Sequence, residues 1–376
     1  MEVQKRQYDM DWIKVLATAV VFFYHCSMFF NPFPWHVKNN AIDTRGILVF
    51  SLFVGSWIMP IFFAVSGIST FYALRKRGVG QFVQERLTRL GVPLLFGIFI
   101  LSPPQVYIER ITHHQFKGSF LGFLPHYFDG LYLDIGGTGN FSFVGLHLWY
   151  LFVLLIFSFL TLLLFIKVKR KIKFGTVHFI AMPALLFLAG FIHTIGLGGW
   201  DILFYLLIFI YGYYFFSSEG FKDALHKSIK LHTVMALCTT VFYILWFMKG
   251  TPSPGSFSDV LFYAVHVLNG WSLLMCIFYL ADKFLSKSNR FLKYGSEAAM
   301  PFYVLHQPIL VMVGYWIHDW QWQVYLKLLF LASISLTIIL LSYHFVIRNI
   351  NILRFLFGQK AKGSVNQSSG SKAALS

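Results

Sequence analysis

Apolar stretches of roughly 20 residues alternate with short polar or basic runs along this chain, the pattern of a protein that crosses a bilayer repeatedly. About ten such stretches can be drawn, at approximately 11–30, 46–74, 91–108, 143–166, 176–196, 200–217, 231–249, 259–281, 298–317 and 324–347. The pattern predicts an all-α fold, a polytopic integral membrane bundle of about ten transmembrane helices. Residues 1–350 would form the membrane domain. Residues 351–376 would form a basic, mostly disordered cytoplasmic tail, because 361–376 are small and polar.

Composition agrees with the pattern. Only 12% of the 376 residues are charged and 57% are hydrophobic, against about 25% charged in a soluble domain. A formal charge of +16 raises the question of nucleic acid. The basic residues, however, sit in short clusters between apolar stretches rather than along one face, so no nucleic-acid partner is expected. With the N-terminus in the cytoplasm, only Lys38, Arg45, Arg110, Lys117, Lys249 and Lys327 of the 31 Lys and Arg face outwards. The positive-inside rule therefore places both termini in the cytoplasm. The first apolar run is too long for a cleavable signal and lacks a small-residue cleavage site, so it reads as the first span. Cys26, Cys238 and Cys276 all lie in spans and are expected as buried free thiols.

Polar residues at depth are the next signal, because they are costly in a bilayer and tend to be functional. His25 falls in the outer half of the first span, His147 at the outer end of the fourth, and His306 near the middle of the ninth. The three could line one cavity, although a lone membrane histidine is equally a helix-to-helix hydrogen bond. Nothing resembles His-Glu-x-x-His or a paired-cysteine site, so no metal is expected. A Walker loop and a Gly-x-Gly-x-x-Gly turn are also lacking, which argues against an ATPase or a dinucleotide enzyme. Ser66 is not a nucleophile elbow, because Ala64 stands where Gly-x-Ser-x-Gly needs glycine; it reads as a helix-packing serine.

Residues 81–90 read as a short interfacial helix with Arg86 and Arg89 on one face. They form either a flank for lipid headgroups or a clamp for an anionic substrate, since guanidinium forks suit phosphates. The longest outer segment, from about Pro103 to Ser142, mixes His126, Tyr127, Asp129, Tyr132 and Asp134. Such a mixture suits a sugar-like acceptor and a membrane-interface belt alike.

Six motifs in order resemble the acyltransferase family 3 membrane proteins. They are Asp11 with Lys14, His25, Phe62-Phe63-Ala64-Val65-Ser66-Gly67, Arg86-Leu87-Thr88-Arg89, His147-Leu148-Trp149 and Tyr303-Val304-Leu305-His306. The likeness covers about residues 7–350 and looks closest to the branch that succinylates osmoregulated periplasmic glucans. It implies a bacterial cytoplasmic-membrane enzyme with no permanently bound cofactor. Such an enzyme moves acetyl or succinyl from cytoplasmic acyl-CoA to a hydroxyl of an extracytoplasmic carbohydrate or lipid. His25 matches the histidine taken as essential, and Arg86 and Arg89 match the pair thought to serve coenzyme A. Lys14 departs from the arginine often found there.

The candidate site that follows has His25, His147 and His306 as catalytic residues, with His25 the general base. Arg86, Arg89, Trp149 and Glu297 are the substrate-binding residues. Trp149, Tyr303 and Gln307 are candidates for stabilising the oxyanion. Rival readings are a transporter or flippase for an envelope saccharide, which explains many spans and polar residues at depth equally well, and a non-catalytic partner in an envelope-polymer complex.

Overall fold

The computed structural model describes residues 7–168 and 173–362. Ten helices carry the argument: α1 Tyr8–Met28, α2 Gly46–Lys76, α3 Val79–Thr112, α4 Leu146–Leu160, α5 His178–Ala189, α6 Ile202–Phe216, α7 Phe221–Lys249, α8 Phe257–Phe284, α9 Arg290–Ile317 and α10 Val324–Asn349. Six of these, α2, α3, α7, α8, α9 and α10, are long and apolar enough to cross a membrane, and α4, α5 and α6 are shorter apolar helices. The burial of the apolar stretches separates their roles. In α9, 72% of that stretch is inside the protein, against 22% in α7, so α9 is built to carry internal chemistry and α7 to face lipid.

The chain divides into two compact units, with boundaries inside α1, α3, α4 and α9. Unit 1 comprises Met1–Tyr24, Thr44–Phe82 and Phe157–Ser296. Helices α2 and α6 approach closely. A Cβ on Gly67 would stand 2.1 Å from the Phe209 carbonyl oxygen, and one on Gly212 would stand 2.2 Å from that of Ala64. Two backbones thus touch where lipid supplies no hydrophobic drive for association, and small residues are what allow it. Aromatic stacking fills the neighbourhood, with Phe63 on Tyr205 at 4.7 Å and Phe165 on Tyr213 at 3.6 Å. At the α1 end, Lys222 Nζ donates to Asp9 at 2.6 Å and to Asp282 at 2.7 Å.

Unit 2 comprises His25–Asp43, Val83–Ile156 and Glu297–Ser376. Here the structure corrects two sequence expectations. Arg86 and Arg89 do not sit on a separate interfacial helix, because α3 runs unbroken to Thr112. The loop that follows therefore begins at 113 rather than near 103. The prolines of this helix are absorbed by widened turns. Leu87–Gly91 and Gly97–Leu101 are π-helical and directly precede Val92-Pro93 and Ser102-Pro103-Pro104. Proline removes an i→i−4 bond, and a local π adjustment lets a membrane helix continue past it.

Residues 351–362 are folded. A short helix, Asn351–Leu356, sets Arg354 against Glu297 at 2.9 Å. The remainder of the expected tail, 363–376, lies outside the described residues. Of the three cysteines, Cys26 is buried, Cys276 is half-buried and Cys238 is exposed. The exposure of Cys238 differs from the buried-thiol expectation because the face of α7 that carries it is the lipid side.

Candidate active site

The candidate site lies in unit 2 and is organised by α9. Pro301 and Pro308 are interior to this helix, so the carbonyls four residues earlier, those of Glu297 and Val304, lose their helical donors. Buried carbonyls need replacement partners. His147 Nε2 donates to the Val304 oxygen at 3.2 Å, and Gln359 Nε2 donates to the Glu297 oxygen at 2.6 Å. A second bond runs the other way, from the Tyr303 hydroxyl to the His147 carbonyl at 2.5 Å. His147 is thus clamped to α9 at both its ring and its backbone.

The three histidines found in the sequence converge. His25 Nδ1 and His306 Nε2 are 2.6 Å apart, with ring centroids 4.9 Å apart and planes 5° apart. His147 meets His306 edge-on, centroids 5.0 Å apart. Their proton positions follow from the fixed acceptors. His306 Nδ1 lies 2.6 Å from the Tyr303 carbonyl, which only accepts, so Nδ1 carries the proton. With the ring neutral, His306 Nε2 is an acceptor, and His25 Nδ1 must donate to it. His25 is therefore held as the Nδ1–H tautomer, with its lone pair on Nε2. The same reasoning makes His147 Nδ1 an acceptor, since its Nε2–H is committed to Val304. Trp35 packs on the His25 ring, centroids 5.2 Å apart and planes 29° apart.

A second polar cluster sits beside the first and escaped the sequence reading. Glu109 is 0% exposed. One carboxylate oxygen accepts from His36 Nδ1 at 2.5 Å and from the Tyr132 hydroxyl at 2.7 Å. The other accepts from the Gly136 N–H at 2.8 Å and from Arg110 at 3.2 Å. Gly136 has φ +81°, which points its N–H onto the carboxylate and which glycine alone adopts without strain. Arg110 is satisfied in turn by Asn140, Gln115 and the Gly139 carbonyl. Gln307, next to His306, donates to His36 Nε2 at 2.9 Å. The cluster is thus linked to the histidine triad through Gln307, and His36 is the chain neighbour of Trp35.

These contacts reassign several residues. Tyr132 and Tyr127, which the sequence left between a sugar-acceptor surface and a membrane-interface belt, point inwards; the Tyr127 hydroxyl donates to the Ile98 carbonyl at 2.7 Å. Burial, followed by the neighbouring Glu109 carboxylate, raises the Tyr132 phenol well above its ordinary value, so it remains a donor. Tyr303 spends its one hydroxyl proton on the His147 carbonyl and is not poised as the oxyanion donor suggested by the sequence, whereas Gln307 gives one amide proton to His36 and has a second. Trp149 is half-buried at the start of α4.

Apart from the histidines, Glu297 pairs with Arg354 at 2.9 Å and with Arg348 at 3.6 Å. Arg86 is half-buried and Arg89 exposed near the first turns of α3, and the Gly358 backbone lies against the Arg89 carbonyl. Among the described residues, no three His, Cys, Asp or Glu side chains are arranged to hold a metal ion.

Comparison with known proteins bears on what this arrangement does. Residues 7–346 match the family described as an acyltransferase domain, acyltransferase family 3. Glucans biosynthesis protein C of Escherichia coli O81 (strain ED1a) is 24% identical over 388 residues, covering 95% of this chain and 95% of that protein. Proteins of the same name from Escherichia coli K12 and O157:H7 are similar at the same identity and coverage. No solved structure matches.

Proposed function

The chain belongs to acyltransferase family 3, and from that premise we propose that this multi-pass membrane O-acyltransferase uses His25 as its general base. The observation that carries the reading is the bond of His25 Nδ1 to His306 Nε2, with His306 itself fixed by the Tyr303 carbonyl. A base needs a third group to orient it and fix its tautomer, and here that group is an imidazole rather than a carboxylate.

In the proposed reaction the acceptor hydroxyl gives its proton to His25 Nε2 while its oxygen attacks the carbonyl carbon of an acyl-CoA thioester. The C–S bond breaks, and the departing coenzyme A thiolate recovers the proton from His25. The acyl group is acetyl or succinyl. The acceptor is an extracytoplasmic carbohydrate or glycolipid, and the name of the relatives supports a glucan-like acceptor. His147 completes the catalytic set. Trp149 and Glu297 belong to the substrate-binding set, and Arg86 and Arg89 would meet the phosphates of the donor, for which guanidinium geometry is suited.

The same proposal gives the chain ten spans with both termini in the cytoplasm, on the distribution of Lys and Arg. It places the protein in the bacterial inner membrane, with residues 1–350 as the membrane domain and 351–376 as its cytoplasmic tail. No resident cofactor is needed.

Mass analysis of envelope glycans and lipids from cells expressing the wild type or His25→Ala at matched membrane levels tests the reading. An added acyl mass that appears only with the wild type supports it and names both group and acceptor. An acyl pattern unchanged by the substitution ends it.

A further inference from the structure

The segment after α3 has two faces of opposite character. Phe123, Tyr127 and Tyr132 turn inwards and are buried with Val106 and Leu146. Interleaved with and flanking them, Leu121, Leu124, Phe128, Leu131 and Leu133 turn outwards, with Leu121 75% and Leu133 77% exposed. Five large apolar side chains within thirteen residues make a patch that water does not favour, and such patches mark protein or membrane contacts.

Its neighbours decide which. On α3 the exposed apolar residues Leu95, Phe99 and Ile100 form a lipid-facing strip that ends at Ile100, while Ser102, Val106, Glu109 and Arg110 beyond it are buried. Helix α3 has 34 residues, a length of about 51 Å, whereas a bilayer core needs about 30 Å. Measured from Leu90, the first apolar residue past Arg89, that thickness is used up near Arg110. Over the last turns before this level the helix is covered by the 120–143 segment, and aromatic contacts join the two surfaces. Phe99 lies 6.3 Å from Phe141, and Phe141 lies 5.5 Å from Phe128.

We propose that residues 120–143 form a collar seated among lipid acyl chains, at the edge of the leaflet at the Thr112 end of α3. The apolar outer face takes over from the lipid-facing strip of the helix, as interfacial segments do. The inner face of the same collar turns Tyr132 and Gly136 onto Glu109. Seating in lipid and the support of His36 are therefore two sides of one segment.

Site-specific photo-crosslinking in the full chain tests this. p-Azidophenylalanine replaces Leu121 or Leu133, with Leu95 as the lipid-facing control and Lys117 as the water-facing one. The protein is reconstituted in phosphatidylethanolamine and phosphatidylglycerol vesicles, illuminated and digested, and the peptides are weighed. The expected result is a peptide mass raised by one phospholipid at 121 and 133, with a yield comparable to that at 95 and lost at 117. No phospholipid adduct at 121 and 133, with 95 still labelled, overturns the proposal. So does a crosslink at those positions to a second copy of the chain, which would make the patch a protein interface.

Discussion

His147 Nε2 donates at 3.2 Å to the carbonyl of Val304, the carbonyl that Pro308 leaves without a donor four residues further along α9. Gln359 stands in the same relation to Glu297 and Pro301. Each proline in α9 is thus matched by a side-chain donor from another element of unit 2. Such matching is what allows proline inside a membrane helix.

His147→Ala should therefore lower stability as well as activity. A buried carbonyl left without a partner costs about 1–3 kcal/mol, read as a lower thermal midpoint in detergent. Pro308→Ala returns a backbone N–H to Val304. In the His147→Ala, Pro308→Ala double variant the stability loss should shrink while the activity loss persists. Equal stability losses in the single and double variants would contradict the pairing.

Replacing His25 with alanine should slow acyl transfer by about 10²–10⁴-fold, the usual contribution of general acid–base catalysis. His306→Ala should also slow it, by less, because the base remains but its tautomer is no longer held. His306→Gln offers an amide oxygen to His25 Nδ1 and should recover part of the loss. Initial rates at matched membrane levels would show the order; a His306→Gln rate no better than His306→Ala would count against the orienting role.

How far the site could be read from the sequence follows physical lines. His25, His147 and His306 stood out because each is a polar residue in an apolar run, and depth could be counted from helix rise. Their convergence was not readable, because it depends on how α1, α4 and α9 pack. Glu109 was missed for a different reason: it fell in the stretch read as the outer segment from about Pro103, where α3 in fact continues to Thr112. The adjacent Glu109-Arg110 pair, three residues past Val106, was the available signal. His36 and Tyr132 sit in loops without periodicity, where only the fold brings partners together.

Glu109→Gln should be more damaging than its modest chemistry suggests. The carboxylate takes four donors, and the amide would turn an N–H towards one of them while leaving Arg110 buried without its counter-charge. Breaking a buried pair in this way costs about 3–5 kcal/mol. Thermal unfolding in detergent should register the drop, and acyl transfer should fall with it because Trp35 and Gln307 lose their fixed neighbour.

Lys38 gives a pH dependence with a defined sign. Its Nζ donates to the carbonyls of Met28, Asn31 and Phe33, and burial pushes it down from 10.5 to about 8. Between these values the unfolded chain keeps a proton that the folded chain has released, so stability rises with pH across that window and the gain is lost as pH falls through about 8. The thermal midpoint of wild type minus that of Lys38→Met should climb through the window. A flat difference would show that the three carbonyls hold the ammonium at its ordinary value.

The contact of Gly67 with Gly212 has a consequence for how this protein can change over time. In an ordinary core a larger side chain at one position can be offset by a smaller one across from it, because the two share a volume. Here each glycine abuts peptide backbone, with Gly67 facing the Phe209 carbonyl and Gly212 facing that of Ala64. In neither case does the obstructing atom belong to a side chain that could be given up. A methyl group at either place forces α2 and α6 apart along their length, and no second substitution at the other position can bring them back.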